Sequence, residues 1–103
     1  MDDTSQIEPP SSFIHLFRSR AGSLTMPAIQ IVARYEFCED LASHLMEQAQ
    51  ALHHQGHGSN SILLGIHAGL RSEDAMCSPA EAGWIVQRLA ELLQWQMPVL
   101  PVS

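Results

Sequence analysis

The sequence predicts an all-α fold built around one long central helix and a capped C-terminal helix. Apolar residues recur at spacings of three and four along residues 26–55. A Ser-Pro-Ala-Glu sequence, typical of a helix start, precedes a second periodic segment that begins at residue 79. A chain of 103 residues has room for one domain. We expect a flexible, acidic and proline-containing tail over residues 1–12 and a single helical domain over residues 13–103.

The first apolar segment, FIHLFRSR, predicts a short helix. Ser11 and Ser12 precede it and suit an N-cap, and Gly22 is expected to end it. Two roles are open for this segment. It packs on the core of its own chain, or it forms an arm that clasps a second subunit.

The central segment predicts one long helix from Met26 to Gln55. Thr25 and Pro27 are suitable residues for its start, and Gly56 is suitable for its end. An alternation of apolar residues leaves open a strand over residues 28–34, followed by a separate helix. The apolar stripe of the long helix consists of Ile31, Tyr35, Cys38, Ala42, Leu45, Ala49 and Leu52.

Two further helices are predicted after this one. The segment SILLGIHAGL is a short helix that Gly65 and Gly69 weaken. The sequence SPAE over residues 78–81 fits a capping box with proline at the first helical position. A helix is therefore expected from Pro79 to about Trp95.

The composition favours protein partners over nucleic acids and membranes. Five Arg and no Lys face eleven Asp and Glu, and the formal net charge is −6, whereas nucleic-acid binding depends on basic residues. No stretch reaches the about 18 apolar residues of a membrane span, and no signal peptide is evident, so we expect a cytoplasmic protein. Hydrophobic residues make up 46% and charged residues only 16%. We therefore expect a homodimer or a permanent partner.

The C-terminal helix carries the strongest candidates for an interface. At 100° per residue, Trp84, Arg88 and Trp95 fall on one line, apart from the apolar stripe of the same helix. Trp and Arg often dominate binding energy at interfaces, although these rings could instead pack against the long helix. The predicted partner or dimer interface consists of Phe37, Leu41, Met46, Trp84, Arg88, Trp95, Met97, Val99 and Leu100.

Signals for catalysis or metal binding are weak. His53 and His57 are one helical turn apart, which suits two ligands of one ion, but Gly56 is expected to end the helix between them. Cys38 lies on the core stripe. Cys77 precedes a helix, where the dipole favours a thiolate, but no histidine partner is evident. We expect neither enzyme activity nor a metal or cofactor.

Two long segments resemble quorum-sensing anti-activators. They are YEFCEDLASHLMEQAQALHH and SPAEAGWIVQRLAELLQW, in a small acidic chain with an apolar, proline-containing tail. The resemblance implies a small helical dimer that binds the ligand-binding domain of a LuxR-type, LasR-like transcription activator. Such a protein blocks dimerisation and DNA binding of the activator. The composition also fits an alternative, a small acidic dimeric chaperone for an exported protein.

Overall fold

The computed structural model describes residues 8–72 and 76–101 and confirms the all-α fold. These ranges contain four α-helices, with a 3₁₀ turn at His15–Phe17 between the first two and no strand, only an isolated bridge between Arg18 and Leu24. The helices are α1 (Ser11–Ile14), α2 (Ala28–His54), α3 (Ser59–Leu70) and α4 (Pro79–Leu93).

The contacts between residues divide the chain into two units, Met1–Phe37 and Cys38–Ser103. The boundary between them falls within α2. The single domain expected over residues 13–103 stays a prediction. Of the tail expected over residues 1–12, residues 1–7 lie outside the described part, and its last two residues already belong to α1.

Three aromatic rings organise the first unit. Phe13 of α1 is fully buried. The centroid of its ring lies 5.3 Å from that of Phe17 and 5.6 Å from that of Tyr35 on α2. Tilted and edge-to-face ring pairs of this kind are favourable. Of the two roles left open for the first apolar segment, packing within its own chain is therefore the one observed.

The first helix begins and ends differently from the prediction. Pro10 precedes it, and no side chain caps it. Ser11 is already helical, so it cannot act as the N-cap. The helical turns end before Arg18, which is extended. Gly22 lies in a later turn, where its N–H donates to the Ser19 carbonyl at 2.9 Å and its φ of 89° favours glycine.

The second helix is continuous over Ala28–His54, which excludes the alternative strand at residues 28–34. The helix begins after the predicted cap, Thr25. The hydroxyl of Thr25 donates to the Phe17 carbonyl at 3.0 Å, so this side chain holds the preceding loop and does not cap α2. The residues of the predicted stripe are all at least partly buried. The buried ones are Ile31, Cys38, Ala42 and Ala49, and the partly buried ones are Tyr35, Leu45 and Leu52.

Gly56 ends α2 as predicted. Its φ is 103°, its N–H donates to the His53 carbonyl at 3.0 Å, and the N–H of His57 donates to the Leu52 carbonyl at 3.1 Å. These two bonds form a Schellman motif around a left-handed glycine. The next helix, α3, begins three residues after Gly56, with Gly58 as an N-cap that offers no side chain.

The predicted capping box of α4 is present. The hydroxyl of Ser78 accepts the N–H of Glu81 at 3.1 Å, and the Glu81 carboxylate accepts the N–H of Ser78 at 2.9 Å. Pro79 occupies the first turn, where its missing N–H costs nothing. Local sequence alone therefore determines where this helix starts.

The other end of α4 is formed by Gln94, which has a left-handed φ of 61°. The N–H of Trp95 donates to the Ala90 carbonyl at 2.9 Å across this residue. The helix consequently stops at Leu93, slightly before the predicted end, and the chain continues without regular structure.

The core of the second unit lies between α3 and α4. Its most buried cluster contains Leu63 of α3 with Val86, Leu89 and Ala90 of α4. Partly buried residues from the second half of α2, from both helices and from the C-terminal segment pack around it. They are Leu45, Met46, Ile66, Leu70, Leu93, Trp95 and Leu100.

Candidate functional site

Trp84 is a core residue. Its side chain is only 8% exposed, whereas the sequence prediction placed it on an accessible face of α4. On the same side of α4, the Arg88 side chain is 33% exposed and that of Glu91 is 57% exposed. Burial of the ring favours packing within the chain, and the interface role predicted for Trp84 stays a prediction.

Arg88, one turn further along α4, binds Glu39 of α2. The Nη2 atom of Arg88 lies 2.9 Å from Oε2 of Glu39, and Nε lies 3.1 Å from both carboxylate oxygens. A second, longer contact of 3.4 Å joins Nη1 to Glu91. The hydrogen bonds to Glu39 raise the pKa of Arg88 despite partial burial. Since a planar guanidinium matches a carboxylate in this geometry, Arg88 is an internal clamp between α2 and α4.

Trp95 is half-buried beside α2. The centroid of its indole lies 5.0 Å from that of the His53 imidazole, and the ring packs against the α3/α4 core. Together with Gln50, His54 and Leu93, these two rings line a recess of about 450 Å³. Trp95 is thus held in place and still partly accessible.

The segment after Trp95 exposes apolar side chains. Val99 is 94% exposed and Met97 is 37% exposed, whereas Leu100 packs against the core. We call Trp95, Met97 and Val99 the tail surface. Met97 and Val99 are the exposed residues of the predicted interface on the C-terminal side of the described chain, and Trp95 is partly buried beside them.

The predicted interface residues on α2 are only partly buried. The guanidinium of Arg34 lies 4.8 Å above the centroid of the Phe37 ring, and Leu41 is half-buried. Met46 packs against the α3/α4 core. Neither burial nor these contacts shows whether a partner covers these three side chains, so their interface role stays a prediction.

A groove between α2 and α3 was not predicted from the sequence. It has a volume of about 410 Å³, and none of its lining residues is an Asp, Glu, Lys or Arg. A Cβ at Gly65 or Gly69 would meet nothing within 4 Å, so these glycines leave one wall of the groove low. The sequence did contain an indication of this groove, because α3 has no Asp, Glu, Lys or Arg and has two glycines four positions apart. The lining residues are Leu45, Gln48, Leu52, His57, Ser61, Ile62, Gly65, Ile66, Gly69 and Leu70.

His67 is an ionisable side chain that the fold buries. It lies on α3 and is only 4% exposed. Burial, followed by the positive charge of Arg71, lowers the pKa of His67 below its ordinary value of 6.5. Both effects favour the neutral imidazole over the imidazolium. The sequence showed this histidine as one of several isolated ones.

The candidate metal and thiol residues do not assemble into a site. Across residues 8–72 and 76–101, no group of three or more His, Cys, Asp or Glu is placed to hold a metal ion. Cys38 is buried and Cys77 partly buried, and both are thiols. The Cys77 thiol donates to the Leu70 carbonyl at 3.4 Å, which connects the end of α3 to the start of α4.

Comparison of the chain with protein-family models, with curated proteins and with solved structures finds no match. Within the described part of the chain, no helix is long and apolar enough to cross a membrane.

Proposed function

We propose that this protein is an anti-activator that binds the ligand-binding domain of a LuxR-type, LasR-like transcription activator and prevents it from dimerising and engaging DNA. In this proposal the protein acts in the cytoplasm as a homodimer. The resemblance of its two longest helical segments to quorum-sensing anti-activators supports the partner. The tail surface is the structural observation that supports binding through a protein contact.

The tail surface has the composition and the support of a protein-binding patch. Tryptophan combines a large apolar area with an N–H donor and is enriched where binding energy concentrates. Contact with His53 and with the core orients the indole of Trp95. Because Leu100 is anchored in the core, the two exposed side chains between them lie on a segment held at both ends. A patch ordered in advance loses less entropy when it binds.

The charge of the chain supports a protein partner over DNA. With a net charge of −6 and no lysine, the chain has few cationic side chains that could bind a phosphate backbone. An anti-activator that competes with the dimer contact of another protein needs a well-packed apolar patch instead. The tail surface supplies exposed apolar side chains for such a contact on the described part of the second unit.

A binding experiment tests the proposal. The double variant Met97→Ser/Val99→Ser is expected to bind a purified LuxR-type ligand-binding domain at least about tenfold more weakly, which corresponds to about 1.4 kcal/mol. Its melting temperature should stay close to that of the parent because both side chains are accessible. Isothermal titration calorimetry measures the affinity, and a DNA band shift of the full activator measures release from DNA.

A matched control is Ile29→Ser, which changes an exposed apolar side chain at the start of α2, 79% accessible. It should leave the affinity unchanged. If the parent protein binds no folded activator domain, the anti-activator function is wrong. Binding only to unfolded segments would instead favour the chaperone alternative. Unchanged affinity of the double variant would show that the tail surface is not the contact.

A further inference from the structure

The outward face of α3 carries no charged side chain. One of its exposed residues is a large apolar one, Leu64, which is 38% exposed. The other exposed positions of this helix are Asn60, Ser61, Gly65, Ala68 and Gly69. The outward faces of α2 and α4, by contrast, carry carboxylates such as Asp40, Glu47 and Glu91. A surface helix ordinarily has charged residues on its solvent side, so the composition of α3 is that of a helix covered by another molecule.

The fold of the chain itself does not require Gly65 and Gly69. A glycine inside a helix is destabilising relative to alanine. Both residues lie within α3, neither has a positive φ, and a Cβ at either position would meet nothing within 4 Å. Alanine would therefore fit at both positions in the isolated chain. What glycine does provide here is room for a second backbone to come close to α3.

The groove between α2 and α3 opens beside this face. Gly65 and Gly69 are exposed and also line the groove, together with Ile62 and Ile66 of the same helix. Leu64 is not one of the lining residues, so its side chain is available to another molecule. One helix thus carries both an exposed apolar side chain and an apolar recess. A two-fold symmetric contact needs this combination, because the same patch must be complementary to itself.

The charge of the chain favours a second copy as the molecule that covers α3. Two copies with a net charge of −6 each repel one another, so they approach most easily through faces that lack carboxylates. All twelve residues of α3 are uncharged at this level, without Asp, Glu, Lys or Arg. A partner with a basic surface would instead be attracted to the acidic faces of the other helices.

We propose that the homodimer forms through α3, with Leu64 of each copy seated in the groove between α2 and α3 of the other. This inference rests on the homodimer of the proposed function and adds the surface that forms it. Gly65 and Gly69 are the low side of the groove, across which the two copies of α3 approach. No residue of the tail surface lines this groove, so the dimer contact and the proposed activator contact use different residues.

Sedimentation equilibrium over a range of protein concentrations tests the proposal. The parent protein should be a dimer that dissociates on dilution. The double variant Gly65→Ala/Gly69→Ala should raise the Kd of the dimer at least about tenfold, because two methyl groups fill the space between the helices. In dilute solution, where the protein is monomeric, the same variant should melt about 4 °C higher or more, since alanine favours the helix. Damage to the fold would lower both the melting temperature and the association.

A matched control is Gly83→Ala on α4, another helical glycine at which a Cβ would meet nothing within 4 Å. It should also raise the melting temperature and should leave the Kd of the dimer unchanged. Leu64→Ser should weaken the dimer at least about tenfold as well, because it removes the inserted side chain. If Leu64→Ser does not fold, the glycine variants decide.

Three results would overturn the proposal: a parent that is monomeric at every concentration, a double variant with the parent's dimer Kd, or an equal loss of dimer in Gly83→Ala. Activator binding is measured separately. The double variant should bind a purified LuxR-type ligand-binding domain with the affinity per chain of the parent. A dimer that depends on α3 but binds no activator domain would contradict the anti-activator function and support the inferred interface.

Discussion

Removal of the clamp between α4 and α2 is expected to destabilise the second unit without disturbing its apolar core. Arg88→Met keeps most of the aliphatic stem of the side chain and removes the guanidinium. Glu39→Gln keeps the shape of the partner and removes its charge. Neither residue belongs to the buried α3/α4 cluster, so the loss should come from the ion pair itself.

The distance and the exposure of the Arg88–Glu39 ion pair set the coupling energy that we expect. Hydrogen bonds to charged groups contribute about 1.5–3 kcal/mol when well shielded, whereas exposed ion pairs contribute about 0.2–1 kcal/mol. The side chains of Arg88 and Glu39 are 33% and 27% exposed, and their shortest contact is 2.9 Å. Solvent therefore screens the pair in part, and we expect a coupling energy of about 1.5 kcal/mol. Glu91 is 57% exposed and 3.4 Å away, so its coupling to Arg88 should be about 0.3 kcal/mol.

A double-mutant cycle measures this coupling directly. The free energies of unfolding of the parent, Arg88→Met, Glu39→Gln and the double variant are obtained from urea denaturation. A second cycle with Glu91→Gln serves as the internal control, because it probes the same guanidinium with a weaker partner. Repeating both cycles in high salt should reduce the couplings.

Equal coupling of Arg88 to the two carboxylates would refute this reasoning. So would a coupling to Glu39 below about 0.5 kcal/mol, a value that exposed ion pairs commonly show. The interface role that the sequence predicts for Arg88 leads to a different expected result for Arg88→Met. Under that interpretation Arg88→Met weakens association and leaves the free energy of unfolding unchanged.

Three further substitutions test the fold. Trp84→Ala should cost about 3–5 kcal/mol in unfolding free energy, because it removes a buried indole; a loss below about 1 kcal/mol would mean that the ring is accessible. Gln94→Gly should raise stability by about 1 kcal/mol, since glycine adopts the left-handed conformation without strain, and no gain in melting temperature would count against this. Gly56→Ala should lower stability by about 1 kcal/mol for the converse reason, and thermal denaturation that matches the parent would disprove it.

Features set by short stretches of sequence were predictable. The start of α4 follows from a capping box and a proline within four residues, and the end of α2 follows from Gly56. The start of α1 was not predictable in this way, because two adjacent serines both suit a cap and neither acts as one. The prediction that Thr25 caps α2 was wrong because its hydroxyl donates a hydrogen bond to the Phe17 carbonyl instead.

The candidate site was harder to predict than the helices. A helical wheel places Trp84 and Arg88 on one side of α4, but it does not show that the Trp84 ring is buried. The partner of Arg88 lies 49 residues away, a distance at which no periodicity relates two positions. The groove beside α3 depends on the packing of two helices, so its glycines appeared only as weak points of a helix.

The placement of the α3/α4 core between consecutive helices bears on how the chain folds. Because few residues separate α3 from α4, bringing them together closes a short loop and loses little chain entropy. Topologies dominated by such neighbouring contacts fold in microseconds to milliseconds. Docking of α2 through Glu39 encloses a much longer loop, so we expect a helical hairpin of α3 and α4 to form early and the long helix to join it in the slower step.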